Sequence, residues 1–581
     1  MKFIKVLLIV SCAIGATNLG AQSAAGVVHR SGARAGKSSI RKLTWLAGPG
    51  IVDLSDPFEP SLAVHGRSTL LAWPEELRTG VWRLWTASRT LPWQSWGDRV
   101  DVDNSAQPWL TRMMTGPDGL TSLAWGRRDN SRQESVMVRL MARGSGRWGR
   151  VTTLATMFGP ENSFTGLADV RVWVQPTGAV TVAWMYDFTV GHSDYAPIYE
   201  RTLSPRTGRW GHRVTVASNS DGVLFSLTGA RDGELTACFQ DFVTTLAPGA
   251  SKWSALLDIS VKGWTFELGG YDEAAVSNLD GTTVAAWSVY TSGGTAPQGY
   301  GLYVSVRQAG SSHWSAPTEL DLTPDINFDG YYDPVLLLDG NDRFLLVAGH
   351  RLSPKKRSII AYSSNSTGTA WTPTTIGSSS ALADPFGAFA DGRGQALMIF
   401  QRGGDGPGST TALYAVTRSS PESGWTTPSL VSTDVAESAG GGGDEDEGGN
   451  PAPAGVVSPG GGFTAAWQSS YAVDPYTSTQ YASVLYSPAP ATVSLRLSHR
   501  RSDKQEPMAI VRIRAGFIRA TGTLELLIDG TVRKTIKLDH QTYERIRLPR
   551  LSKGRHAVRA EYLGSPVEAP GKSPVITFKL G

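Results

Sequence analysis

Only two of the 581 residues are cysteines, and Cys12 lies in the apolar N-terminal stretch. Cys238 is then alone, so no intramolecular disulfide is available and stability must come from packed cores, which this length permits. Charge is scarce as well, at 18% of residues. Long apolar runs are absent: after VLLIVSCAIGA at residues 6–16, too short to span a bilayer, nothing comparable follows, and no transmembrane helix is predicted. Long helices are excluded by 65 Gly and 33 Pro, and the expected class is all-β. The chain also lacks a zinc-type histidine cluster, a nucleophile elbow and a phosphate loop.

The N-terminus has Lys2 and Lys5, the apolar run and a small-residue site at LGAQ, which is the build of a signal peptide over residues 1–21. A basic flexible linker is expected over 22–41, and the mature chain is expected to be secreted or held at the cell surface. The sequence IVSC also allows lipoprotein anchoring at Cys12, but Lys5 leaves the preceding apolar run very short, so ordinary cleavage is favoured. Residues 491–581 hold 18 Lys+Arg against 8 Asp+Glu, and residues 1–41 hold six basic side chains and no acidic one. With an overall charge of +4, the middle of the chain stands at −12. An acidic body with a basic tail argues against a nucleic-acid binder; for the tail a solvated basic face is the favoured reading, and an anionic cell-wall polymer as its partner is the alternative.

Internal repeats dominate what is there. A tryptophan after a Gly/Ser-rich turn recurs at Trp45, Trp96, Trp148, Trp210, Trp253, Trp314, Trp371 and Trp425. A second series joins a turn pair to an apolar strand ending in an aromatic: PDGLTSLAW, PTGAVTVAW, RDGELTACF, LDGTTVAAW and PGGGFTAAW. Each unit reads as four antiparallel strands, the pattern of a propeller blade. The first tryptophan precedes any complete unit and the last unit lacks a fourth strand, so an N-terminal strand is expected to close the ring and remove its exposed edges. The expectation is an eight-bladed β-propeller over residues 42–489, with seven blades if the unit around Phe239 is degenerate. The tryptophans read as packing residues rather than ligand platforms.

Several stretches resemble known families. Residues 363–371, SSNSTGTAW, resemble the sialidase Asp-box turn S-x-D-x-G-x-T-W, with Ser366 at the Asp position and Ala370 at the Thr position. The sialidase arginine triad has no match here, because no R-I-P-like strand opens the propeller. The Trp-marked repeat of quinoprotein dehydrogenases is not matched either. ATGTLELLIDG at 520–530 and LPRLSKGRHAVRAEYLG at 548–564 resemble the bacterial immunoglobulin-like domain, which implies a β-sandwich over 490–581 acting as a spacer or adhesive stalk. Arg512, Arg514, Arg545, Arg547, Arg555 and Arg559 alternate with apolar or small residues and should line exposed sheet faces. DINFDGYYD at 325–333 follows the D-x-[DN]-x-[DN]-G rule and resembles the FG-GAP calcium loop. That resemblance implies Ca²⁺ held by Asp325, Asn327, Asp329 and Asp333 through side chains and by the carbonyl of Tyr331.

Ligand recognition is expected on the face where second strands lead into third strands. The long connections there gather Tyr186, Asp187, His192, Asp194, Tyr195, Tyr290, Tyr471, Asp474 and Tyr476, a mixture of flat aromatic faces and carboxylates suited to sugars or peptides. The glycine-flanked acids of GGGGDEDEGG at 440–449 read as a solvated insertion. The favoured reading is an exported, non-catalytic protein that binds a glycan or a protein. The alternative is a sialidase-like glycoside hydrolase or lyase using Asp187, Asp194 or Asp474.

Overall fold

The computed structural model describes residues 46–47 and most of 60–580; residues 1–45, 48–59, 261–273, 324–333, 436–453, 499–507 and several shorter stretches fall outside it. The expected signal peptide, the basic linker and the acidic run at 440–449 therefore lie outside the described residues. The described residues form ten antiparallel sheets, and no helix among them is long and apolar enough to cross a membrane.

Eight of the sheets follow one another along the chain, at residues 61–103, 107–158, 165–217, 226–258, 274–323, 335–379, 382–435 and 454–486. In each, neighbouring strands are consecutive in sequence, and the third sheet adds two short strands to its four. The eighth supplies only three strands of its own, and Leu46–Ala47 pairs with Thr477–Tyr486 as its fourth. Leu46 and Ala47 thus complete the eighth sheet, opposite Tyr486 and Leu485. The unit around Phe239 is short but complete, with strands Ser226–Gly229, Leu235–Phe239, Phe242–Leu246 and Leu257–Asp258.

The apolar cores lie between sheets, which makes the arrangement propeller-like. Trp125 and Met113 of the second sheet pack on Ala72 and Leu84 of the first, and one larger core joins the second, third and fourth. Further cores join the fourth to the fifth, the fifth to the sixth, the sixth to the seventh, the seventh to the eighth, and the eighth back to the first. Bonds along the first strands repeat the sequence: Met113 N–H donates to Ser61 Oγ at 3.0 Å, and Ser277 N–H donates to Thr228 Oγ1 at 2.9 Å. The aromatics of the second series fill these cores. Trp73, Trp125, Trp184, Phe239, Trp287 and Phe400 are all buried.

All eight sheets point the same way. In six sheets the turn between first and second strands holds a glycine at positive φ, as at Gly119 (83°) and Gly233 (96°), where other side chains would be strained, and in the sixth sheet Asp342 takes that conformation at 58°. Neighbouring turns touch: the Gln175 side chain donates to the Gly233 carbonyl at 3.4 Å, and Asn278 donates to Asp342 O and Ser366 O at 3.1 and 2.9 Å. One end of the ring is therefore made of tight turns, and the other of connections from second to third strands and from one sheet to the next.

The first tryptophan series sits at the seams. Each described member is half-buried and lies seven residues after the end of its sheet's third strand, except Trp210, which lies six after Ser204. In three sheets that strand-end residue is an arginine, and the guanidinium lies over the indole: Arg89 on Trp96 at 4.4 Å, Arg307 on Trp314 at 5.9 Å, and Arg418 on Trp425 at 5.1 Å. Each arginine is 3% exposed and reaches the preceding sheet. Arg89 donates to Thr464 Oγ1, Arg307 pairs with Glu234, and Arg418 pairs with Asp339 at 2.6 Å. In the second, third and fourth sheets Met141, Leu203 and Leu246 stand at the same place. The SSNSTGTAW turn belongs to this series: Asn365, not Ser366, organises it, its Oδ1 accepting from Thr369 N–H and Ala370 N–H at 3.0 and 3.3 Å. Trp371 Nε1 closes the turn by donating to Gly368 O at 2.8 Å.

Between the third and fourth sheets a cleft of about 970 Å³ is lined by Glu200, Thr202, Arg213 and Trp253. Glu200 is 2% exposed and accepts one bond, from Thr202 Oγ1 at 3.0 Å. Burial pushes its carboxyl up to about 7.

The last two sheets pack face to face around their own core of Val511, Ile513, Leu524, Leu526, Ile546, Val558 and Tyr562. Asp529, at φ 53°, accepts from Ala557 N–H at 2.9 Å and bonds His556 Nδ1 at 2.7 Å. The D-G and G-x-H segments read from the sequence are thus one linked corner. The Asp529 bond raises the His556 pKa and His556 lowers that of Asp529.

Two predictions follow from the seams. A carboxyl whose folded pKa is raised from 4.5 to about 7 contributes stability that is full below the unfolded value and lost as pH rises through the folded one. Above pH 8 the ionised Glu200 costs about 3 kcal/mol, so Glu200→Gln should melt higher than the parent at pH 8.5 and with it at pH 4.5; equal shifts at both values would refute the assignment. Asp339 and Arg418 are a buried ion pair. Arg418→Leu leaves a buried carboxylate unpaired and should cost about 3–5 kcal/mol in denaturant melts, much of it recovered in Arg418→Leu with Asp339→Leu.

Candidate functional site

The connection end of the first three sheets carries a band of charged and aromatic side chains. Two backbone irregularities shape it. The first strand of the second sheet, Gln107–Thr115, breaks register between Trp109 and Arg112, and Leu110 there adopts φ 50°. The first strand of the third sheet, Thr165–Val174, breaks register between Leu167 and Asp169. Bulges of this kind re-aim side chains where a strand begins. Gly126 makes room for the result: a Cβ there would lie 2.6 Å from Leu167 and 3.2 Å from Trp109.

The charges form a chain of pairs. Arg99 meets Glu75 at 3.0 Å and lies over Trp73. Asp103 accepts from Trp125 Nε1 at 3.0 Å and from Ser105 Oγ at 2.6 Å, with Arg127 at 3.8 Å. Arg127 also meets Asp129 at 2.7 Å. Glu134 takes Arg128 at 3.0 Å and the Leu167 N–H at 2.6 Å, and Arg128 lies over Trp109 at 5.0 Å. Asp169 takes Arg171 at 2.7 Å and Arg112 at 3.8 Å, which ties the second sheet to the third. Burial raises the pKa of Glu75 and Asp169, and their arginines oppose it. The band is a rigid platform of matched charges with indole faces among them, and its buried carboxylates are committed to arginines.

Tyr186 and Asp187 border this band. They end the paired part of Val180–Val190, half-buried, opposite Leu167 and Gly166. The connections expected as long loops are largely paired strand. Val180–Val190 continues beyond the sheet and pairs with Ser193–Tyr195, with Asp194 opposite Thr189 and Tyr195 opposite Phe188. Tyr290 stands opposite Tyr300 in the fifth sheet. In the eighth, Tyr471 stands opposite Thr479 and Asp474 opposite Thr477. Runs such as YDFTV and TSTQYASV are rich in β-branched and aromatic residues, so pairing carries on past the blade. The described candidate residues come from the third, fifth and eighth sheets, and Tyr186 and Asp187 adjoin the charged band.

His192 and Tyr476 lie outside the described residues, as do Asp325, Asn327, Asp329, Tyr331 and Asp333 of the expected calcium loop. Among the described residues no group of three or more His, Cys, Asp or Glu could hold a metal ion. The Arg–carboxylate band was missed in the sequence, although GRRDN at 126–130 and DVRV at 169–172 mark where second strands end and a first strand begins.

No protein-family model matches the chain, and no curated protein matches it. Among solved structures, it is similar to the polysaccharide lyase Uly1, with 9% identity over 77% of this chain and 97% of that one, at a TM-score of 0.39. It is similar to the NanB sialidase from Streptococcus pneumoniae, with 9% identity over 72% and 83% of the two chains, at 0.31. It is also similar to the six-bladed β-propeller lectin of Aleuria aurantia, with 14% identity over 56% and 95%, at 0.28. Likeness this distant says nothing of the ligand or chemistry of this chain.

Proposed function

We propose that the ring is an eight-bladed β-propeller of an exported, non-catalytic protein that binds a carbohydrate or a protein through its connection end, with an immunoglobulin-like module as spacer. The observation that carries this reading is the charge pairing of the site. Glu75, Asp103, Asp129, Glu134 and Asp169 each have an arginine, which suits a rigid recognition surface and leaves none of them as a poised acid or base. Trp109, Tyr186 and Asp187 supply stacking faces and an acceptor beside it. Trp109→Ala and Tyr186→Ala should each weaken the ligand found by glycan-array or pull-down screening by about tenfold, with the melting temperature within a few degrees of the parent. Blank screens with turnover of a glycosidase panel would refute the reading.

The strained bulge at Leu110 favours a second reading, because such strain gathers at reaction centres. Under it the chain is a glycoside hydrolase or lyase, and Asp187→Asn would abolish turnover.

The calcium loop completes the proposal. Ca²⁺ bound by Asp325, Asn327, Asp329, Asp333 and the Tyr331 carbonyl would neutralise three carboxylates ahead of the sixth sheet and stabilise its junction with the fifth. Calcium should raise the melting temperature, and Asp325→Ala with Asp329→Ala should abolish the rise. A melting curve unchanged between chelator and millimolar calcium would remove the site.

A further inference from the structure

The C-terminal sheets carry a charge pattern unlike that of the ring. In Met508–Ala515 the side chains alternate: Ala509, Val511 and Ile513 are buried, and Arg512 and Arg514 point outward. Register then places Arg545 beside Ile510 and Arg547 beside Met508 on one flank, with Arg496 beside Ile510 on the other. Arg496, Arg512, Arg514, Arg545 and Arg547 therefore share one outward face, and all five are exposed. No acidic or lysine side chain stands on that face among the described residues, and none of the five forms an ion pair with a described residue. Arg555 and Arg559, expected to join them, lie on the second sheet, where Arg559 is paired with Glu561.

Neighbouring strands stand ~4.8 Å apart and alternate residues ~6.6 Å apart, so five like charges crowd into a patch three strands wide. No two of them stand directly opposite, but Arg512 is diagonal to both Arg496 and Arg545, within reach of long side chains, and like charges so placed repel. In the ring, arginines beside one another share carboxylates; here the repulsion is left standing, and a polyanion would relieve it.

We propose that this face docks a linear anionic polysaccharide. Arginine forks take carboxylate or sulfate groups through two parallel bonds, which lysine cannot do. Between them Met508, Ile510 and Tyr543 are half-buried and offer a low apolar surface to sugar rings. The outward side of a sheet suits an extended chain, and the site is separate from the connection end of the ring.

The test uses the full chain with heparin as the anionic polysaccharide, dextran as its neutral counterpart and duplex DNA as an anion of another class. Calorimetry should show heparin binding that weakens steeply with salt, and no dextran binding. Arg512→Ser, Arg514→Ser, Arg545→Ser and Arg547→Ser together should weaken heparin binding by at least about tenfold. A second variant removes the same charge from exposed positions of the other sheet, through Arg533→Ser, Lys534→Ser, Lys537→Ser and Arg555→Ser, and should bind as the parent does. If the first variant fails to melt cooperatively, Arg512→Ser with Arg545→Ser replaces it, with an intermediate loss expected. The proposal is overturned by absent heparin binding at low salt, by an equal loss in the second variant, or by DNA binding as tight as heparin binding.

Discussion

A sheet in this ring has two faces, and each must be covered by a neighbour. The contact that governs how neighbours meet is the strand-end residue lying against the tryptophan seven positions later. Where that residue is Arg89, Arg307 or Arg418, the indole covers its guanidinium on one side and the preceding sheet supplies an oxygen to its tip. Leu203 and Leu246 fill the same place against the large core shared by the second to fourth sheets, and Met141 fills it in the core between the first and second. Polar seams occur beside cores of different size, Arg89 beside the small one between the eighth and first sheets and Arg418 beside the larger one between the sixth and seventh. A buried arginine is tolerable there because the indole and the acceptor replace the water it loses.

This explains which parts of the chain were legible. Turn glycines and buried aromatics are local signals: Gly119 sits at positive φ and Trp125 is buried within the strand that follows, so their spacing announces the unit. The first tryptophan series was legible as repetition, but its partner was not. Arg89 and Trp96 are seven residues apart, and the oxygen that completes the site is on Thr464, far away in sequence. Long-range pairing of this kind leaves no periodic mark.

The candidate site divides in the same way. Tyr186 and Asp187 stood out because aromatics and acids are conspicuous in a connection. The expected loops proved to be strand extensions because β-branched and aromatic residues keep pairing once a hairpin has started. The Arg–carboxylate band went unread since its members look like ordinary surface charges. Only the bulges at Leu110 and Ala168 and the closeness of Gly126 to Trp109 and Leu167 bring Arg112, Glu134 and Asp169 together.

Arginine has opposite uses at the two ends of the chain, and the difference lies in what faces it. In the ring, a carboxylate or hydroxyl oxygen and often an indole lie close to the buried guanidinium, so the charge is consumed in holding sheets and first strands in place. In the C-terminal sheet the same side chain alternates with Val511 and Ile513, which anchor the strand from beneath and need nothing from it. The core there would be equally well served by neutral polar residues on the outer face. The packing beneath does not require arginine at these five positions, and among the described residues the one side-chain partner recorded for any of them is Tyr543, which takes a bond from Arg545.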